Sequence, residues 1–363
     1  REPQGLEGDA GQFREIFRAP GFAVGREIGR AGADHAPHGA QPGRDQAAVR
    51  QGSDPHRDID VIVELIGGSD GPAKRTVEAA LRSGKSVVTA NKALIAEHGI
   101  EIASLAEKHD VHLLFEAAVA GAIPIVRAVK NSLSGVIVSR VSGILNGTCN
   151  YILSEMLRTG AAYETVLAEA QRLGYAESDP YLDVSGGDAA HKALILASIA
   201  FGAQPAFDQV QVEGIDKIDA MDIALANKFD YRIKLVAEAF RSKEGVRCRV
   251  APVLVQKEHP LAQVNGPLNA VVVEGEPVGR LTFTGPGAGS GPTAAAVMGD
   301  LARLFEGPAT PPLGKPDSGS PHVSALHAGP LLAACRAAVA AAAAARAPPG
   351  TPRGSDADAT VRA

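Results

Sequence analysis

The stretch VIVELIGGSDGPAKRTVEAALRSGKSVVTANK, Val61 to Lys92, sets the architecture. Its first part, VIVELI (61–66), is a short and nearly unbroken apolar run with β-branched residues, the pattern of a strand buried on both faces. Gly67 and Gly68 end it. Pro72 suits the first position of a helix running to Arg82, Gly84 stops that helix, and SVVTA (86–90) reads as the next strand. Further on, Leu94 to His109 reads as a helix and VHLLFEA (111–117) as a third strand. Strand, helix, strand, helix, strand predicts an α/β fold with a parallel sheet and right-handed crossovers. Ligands of such sheets sit at the carboxyl ends of the strands, which is where Gly67, Gly68 and the Asn91-Lys92 pair fall.

Working outward, the second half changes texture. VIVSRVSGI (136–144) is strand-like, Thr148 to Arg158 and Tyr163 to Leu173 are helical, and Asp188 to Phe201 is a strongly apolar helix closed by Gly202. NAVVVEGEPVGRLTF (269–283) reads as a hairpin with polar EGEP between two apolar strands. Strands grouped around helices predict an α+β region with an open sheet. The flanks differ from both halves. Residues 1–57 hold ten Gly, eight Arg and five Pro but only five of Leu, Ile and Val together, too little apolar surface to offset the entropy of ordering. From 307 onward the chain turns Pro-rich, with nine of its 24 prolines, and then runs into alanines at 340–345, where a short helix near 331–346 is the most structure expected.

The totals exclude some classes of function. Lys and Arg number 36 against 41 Asp and Glu, which gives neither a nucleic-acid footprint nor a membrane-surface patch and leaves a small molecule as the expected partner. No apolar run reaches the roughly 18 residues that span a bilayer. Cys149, Cys248 and Cys335 are odd in number and far apart, so a reducing, cytoplasmic setting is expected and a zinc site is not.

Chemistry concentrates in GYAESDPYLDVSGGDAAHK (174–192). Asp188 and Lys192 are i and i+4 on one helix and share a face; on a surface such a pair adds only a few tenths of a kcal/mol. This helix is otherwise almost wholly apolar, so its charged end lies near a buried surface, where charges need partners. Upstream, Glu177, Asp179 and Asp183 lie in a Gly-, Ser- and Pro-rich loop, either as solvated turn formers or as part of a pocket. Taken with the lysine, they suggest a pocket for a substrate bearing an ammonium group and a reacting oxygen.

The longer segment AQRLGYAESDPYLDVSGGDAAHK (170–192) resembles the signature of homoserine dehydrogenases. VIVELIGG (61–68), VVTANKALIAEHG (87–99), FEAAVAGAIPIVRA (115–128), GILNGTCNYIL (143–153) and GPGAGSGPTAAAV (285–297) resemble the same family, so that the likeness covers about 58–306. It implies an α/β fold: a Rossmann-like parallel sheet over 58–135, with its N-terminal strands degraded or missing, and an α+β catalytic and dimerisation domain over 136–306. It also implies NAD(P)-dependent reduction of L-aspartate 4-semialdehyde to L-homoserine, in threonine, methionine and isoleucine biosynthesis, by a homodimer.

The resemblance also carries roles. It makes Lys192 the proton donor, assisted by Asp188, and Lys92 a second lysine between cofactor and substrate. Glu177 and Asp183, with Gly174 and Tyr175, become substrate contacts, while Asp179 caps the turn before Pro180. NADP or NAD would lie against Ile66, Gly67, Gly68 and Lys92, with Gly287 and Gly289 closing over it. Glu116 and the carbonyls of Val119, Gly121 and Ile123 would hold Na+, an oxygen-only set suited to a hard cation.

At the N-terminus the likeness lapses. A nicotinamide enzyme of this kind opens with a strand, G-x-G-x-x-G and a helix, so that backbone amides approach the pyrophosphate. The nearest stretch, GFAVGREIG (21–29), lacks the glycine spacing and a preceding apolar strand. The composition of both flanks is that of an out-of-frame reading of GC-rich coding sequence. VIVELI is therefore expected at a bare sheet edge, with cofactor binding impaired. Two other functions compete with the dehydrogenase: a Schiff-base lyase in which Lys92 or Lys192 attacks a carbonyl, and an inactive binding or dimerisation remnant.

Overall fold

Four parallel strands, paired in the order in which they occur along the chain, make the first sheet. The structure is a computed structural model and describes residues 22–24, 59–203, 205–242 and 245–314. Strands β1 (Phe22–Val24), β2 (Val61–Glu64), β3 (Ser86–Thr89) and β4 (Leu113–Leu114) are joined, after β2, by helices α1 (Pro72–Arg82) and α2 (Lys92–Lys108). α1 starts on Pro72, where no amide is needed, and buries Ala73, Val77, Ala80 and Leu81 at helical spacing. α2 is started by Asn91, whose side chain accepts the Leu94 amide, and it buries Leu94, Ile95, Ile102 and Ala106.

Two expectations are corrected here. A strand does precede Val61: Phe22, Ala23 and Val24 pair in parallel with Val61, Ile62 and Val63, so β2 is not a bare edge. Three residues between Gly21 and Gly25 are too few to show a period, which is why the pattern does not announce a strand. The third strand is shorter than 111–117. Its ladder stops at Leu114 because the Glu116 amide is taken by the Asp300 carboxylate at 2.8 Å and residues 116–118 coil into a helical turn. The remaining expectations for 1–57, and those for 315–363, lie outside the described residues. Up to Gly314 the chain still packs, with Leu313 against the main core.

The second sheet is mixed. Its strands are β5 (Ile137–Ile144), β6 (Gln211–Val212), β7 (Tyr231–Ser242), β8 (Gly245–Gln256), β9 (Leu268–Glu276) and β10 (Gly279–Pro286), in the order β10-β9-β5-β7-β8-β6. Between β5 and β6 come helices α3 (Gly147–Thr159), α4 (Tyr163–Arg172) and α5 (Gly187–Phe201); α6 (Ala220–Lys228) precedes β7. The hairpin β7–β8, paired from Tyr231↔Gln256 to Ser242↔Gly245, is a major element that the sequence reading leaves unassigned.

Helix α5 decides where the site forms. It packs against β5, β7 and β8 on one side and against α2 on the other, so it is the layer between the two sheets. After β10 the chain returns as α7 (Ser290–Arg303), placing Val297 and Leu301 on Val61, Val63, Val88 and Leu114. The parallel sheet thus has α1 and α2 on one face and α7 on the other, as its doubly apolar strands require.

Candidate active site

An apolar helix that buries nearly all its length must also bury the charges at its start. Asp188 and Lys192 in α5 are 6% and 9% exposed. The Lys192 ammonium donates to Asp188 Oδ2 at 2.7 Å and to the Leu145 carbonyl at 2.8 Å. Lys92, the first residue of α2, brings its Nζ to 3.2 Å from Asp188 Oδ1. Asn146 closes the cluster: its Nδ2 donates to Asp188 Oδ2 at 2.9 Å and to Asp183 Oδ1 at 2.7 Å.

These neighbours push the two carboxylates in opposite directions. Burial works against ionisation of Asp188, but the charges of Lys192 and Lys92 and the bonds from Lys192 and Asn146 hold it at about 2. Asp183 is raised by burial and by the charge of Asp188, against the pull of the Asn146 and Thr148 side chains. One acid fixes positive charge, while the other is poised to gain from an arriving cation.

At the carboxyl ends of β2 and β3, the fully buried carboxylate of Glu64 organises the backbone. Its Oε1 accepts the amides of Ile66 (2.7 Å) and Gly67 (3.1 Å), and its Oε2 accepts the Thr89 hydroxyl at 2.6 Å. The Thr89 oxygen in turn takes the Asn91 amide at 2.9 Å, and Asn91 Nδ2 donates to the Gly68 carbonyl at 2.7 Å. Gly67 and Gly68 are both left-handed, with φ of 84° and 82°, and a Cβ on either would meet no atom within 4 Å. The result is a rigid strand end with open space beside it, an exposed Ile66 and a half-exposed Lys92. The open carboxyl ends of a parallel sheet are where a dinucleotide can be held.

A third loop lies beside it. Glu116 caps the helical turn Ile125–Arg127, its two oxygens accepting the Val126 and Arg127 amides at 2.9 Å each. Burial raises Glu116 to about 7, despite the Arg127 amide bond. A buried carboxylate next to a turn of backbone carbonyls is an oxygen-only set of the kind that can hold a hard monovalent cation, although Arg127 and Lys130 already bring positive charge toward it. Of those carbonyls, that of Ile123 already accepts the Ile125 amide at 2.7 Å. Gly121 stands at φ 49°, and a Cβ there would sit 2.8 Å from the Gly287 carbonyl oxygen, so the 119–123 loop and the glycine loop touch. Gly289 begins α7.

Comparison with known proteins follows the same lines. A family model described as homoserine dehydrogenase matches residues 124–302, and one described as homoserine dehydrogenase, NAD binding domain, matches residues 32–116. The crystal structure of a putative homoserine dehydrogenase from Archaeoglobus fulgidus is 40% identical, with a TM-score of 0.64 over 68% of this chain and 75% of that one. The chain belongs to the homoserine dehydrogenase family. The Corynebacterium glutamicum homoserine dehydrogenase is 54% identical over 249 residues, 67% of this chain and 56% of that protein. The crystal structure of a homoserine dehydrogenase from Thiobacillus denitrificans has a TM-score of 0.69 at 43% identity, over 74% of this chain and 64% of its own. This chain thus spans somewhat over half the length of the curated homoserine dehydrogenases it matches. The match to the NAD-binding part begins at residue 32, earlier than the quoted motifs reach.

Within this homoserine dehydrogenase fold, Lys192, Lys92, Asp188 and Asp183 come together, and Ile66, Gly67 and Gly68 lie at the open strand end near Lys92. Glu177 does not join them. It is exposed, and what the fold holds is its backbone carbonyl, bonded by Gln171 at 3.0 Å. Gly174, at φ 77°, ends α4; the Tyr175 ring lies 4.6 Å from that of Tyr151, and its carbonyl accepts the Thr148 hydroxyl at 2.7 Å. Asp179 caps its turn by accepting the Tyr181 amide at 3.1 Å. Two residues of the cluster have no place in the sequence reading, Asn146 and Asn269. For Asn146 a signal existed: Asn-Gly-Thr ahead of a helix marks an N-cap, and its Oδ1 does accept the Cys149 amide at 2.8 Å. Asn269, the second residue of β9, donates to the Leu145 carbonyl at 3.1 Å and has no such marker.

Proposed function

We propose that this protein reduces L-aspartate 4-semialdehyde to L-homoserine with a nicotinamide dinucleotide, as a step toward threonine, methionine and isoleucine. The observation that carries the reading is the Asp188 carboxylate shared by Lys192 and Lys92 beside the open strand ends. The match to a homoserine dehydrogenase NAD-binding domain and the space beside Gly67 and Gly68 support the cofactor, which when bound supplies the hydride to the aldehyde carbon. Lys192 then gives a proton from Nζ to the carbonyl oxygen, which becomes the hydroxyl, and takes another from solvent. Asp188, bonded to that amine at 2.7 Å, keeps it aimed until transfer. Lys92, from the other helix, carries positive charge to the border of cofactor and substrate. Asp183 and Asn146 receive the amino-acid end, with Asp183 gaining from the substrate's ammonium, and Glu177 approaches from the exposed loop.

Glu116 and the carbonyls of Val119, Gly121 and Ile123 would hold Na+, which braces the contact with the Gly287 loop. Homodimer assembly is supported by family membership and by the exposed apolar Ile137 and Val278 at one end of the β5, β9 and β10 strands. Among the described residues no helix is long and apolar enough to cross a membrane.

The test is the loss of nicotinamide absorbance on adding aspartate semialdehyde to the purified chain. Lys192→Ala is expected to lose about 10²- to 10⁴-fold in turnover, with cofactor binding kept. Full turnover in that variant overturns the assignment.

A further inference from the structure

Asn269 is 1% exposed, and only one end of its carboxamide is bonded. Nδ2 donates to the Leu145 carbonyl at 3.1 Å, the same oxygen that receives the Lys192 ammonium at 2.8 Å. Its Oδ1 is buried with no partner among the described residues. A carboxamide fixed by one hydrogen bond depends on packing for the rest of its orientation, and here the packing surface is Gly287. A Cβ at Gly287 would stand 2.0 Å from both Cγ and Nδ2 of Asn269, so the backbone of the glycine loop packs directly against the amide. The loop also meets Gly121, where a Cβ would sit 2.8 Å from the Gly287 carbonyl oxygen. Gly121, Gly287, Asn269, the Leu145 carbonyl and Lys192 therefore form one unbroken line of contacts.

We propose that Asn269 is a positioning residue for Lys192: it transmits the seating of the 285–289 glycine loop to the carbonyl that holds the lysine's ammonium. The inference rests on the dehydrogenase reading for its catalytic meaning, but its geometric content is independent of it. When the loop is seated, Asn269 is held against Leu145 and the ammonium is pinned between that carbonyl and Asp188. When the loop lifts, Asn269 loses its backing, the carbonyl loses the donor that fixes its direction, and the Lys192 ammonium is held in place mainly by Asp188. The absence of a side chain at Gly287 follows, since any would displace the amide.

The test measures the Lys192 amine directly. Limited acylation with acetic anhydride, resolved by mass spectrometry, gives the reactivity of Lys192 relative to exposed Lys108 in the same chain. Loss of one hydrogen bond to the shared carbonyl in Asn269→Ala should raise that ratio about three- to tenfold, and Gly287→Ala should raise it similarly. In the double variant Gly287→Ala should add nothing, because the amide it displaces is gone. Asn269→Leu, which keeps the volume and drops the donor, gives the same rise if Gly287→Ala does not fold. An unchanged ratio in Asn269→Leu, or an undiminished Gly287→Ala effect in the Asn269→Ala background, overturns the proposal. Turnover is read in parallel for Asn269→Leu: kcat should fall with cofactor KM unchanged. A wild-type chain with no turnover refutes the dehydrogenase reading, while the acylation ratios still decide the role of Asn269.

Discussion

Asp188 holds two lysines from two different helices at once: its Oδ2 is 2.7 Å from Lys192 Nζ, and its Oδ1 is 3.2 Å from Lys92 Nζ. The lysines are not equivalent. The Lys192 side chain is 11% exposed and that of Lys92 35%, so water screens the second far more than the first. Asp188→Asn should therefore destabilise the fold by about 3 kcal/mol, because it strands the Lys192 charge. Lys92→Met should cost under about 1 kcal/mol. Urea unfolding of the two variants gives both values, and equal losses would show that burial is not what sets them apart.

Acid should act through the same carboxylate. Asp188 sits at about 2 in the fold against an ordinary 3.8, so below about 3.8 the unfolded chain takes up the proton first. The stability it contributes is whole above about 3.8 and is lost as pH falls toward 2, on the order of 2 kcal/mol. Asp183 runs the other way: raised in the fold, it is relieved of a penalty when protonated. Unfolding free energies of wild type and Asp188→Asn should converge between about pH 4 and pH 2. A constant gap across that range contradicts the assignment.

The Glu64–Thr89–Asn91 network makes a different kind of prediction, since none of its hydrogen bonds involves Lys192. Thr89→Val removes the donor to Glu64 and the acceptor for the Asn91 amide, leaving a fully buried carboxylate short of a bond. The expected cost is about 1–3 kcal/mol. Because Glu64 also holds the Ile66 and Gly67 amides, cofactor KM should rise with little change in kcat. Calorimetric cofactor titration checks this, and an unaltered affinity would separate the network from the open strand ends.

Much of this was legible from the residues alone, for reasons that differ from one element to another. α1 is readable to the residue because Pro72 and Gly84 punctuate it, and Lys192 stands out because charge at the start of an apolar helix has few explanations. β7–β8 escaped because Lys243-Glu244 is no turn signature and alternating Arg, Lys and Glu hide the apolar face. β1 escaped because three residues carry no period. Asn146 and Asn269 belong to a harder class. Asn146 meets acids 37 and 42 positions away, and Asn269 a carbonyl 124 positions away, so their roles exist only after the sheets and α5 have assembled.

Lys234 gives the prediction with the least connection to catalysis and the clearest sign. It is 2% exposed and donates to Asn150 Oδ1 at 3.0 Å and to the Val264 carbonyl, with no carboxylate paired to it among the described residues. Burial, with the charge of Arg232, lowers it from 10.5 to about 8. Between those two values the unfolded chain binds the proton that the folded chain has released, so stability must rise with pH across that window and level off above it. The gain is about 3 kcal/mol. Lys234→Met fills a similar volume without titrating, so the unfolding free energy of wild type should climb relative to the variant from about pH 8 to 10.5. Parallel curves would mean that the ammonium keeps its proton throughout, held by Asn150 and Val264 strongly enough to cancel the cost of burial.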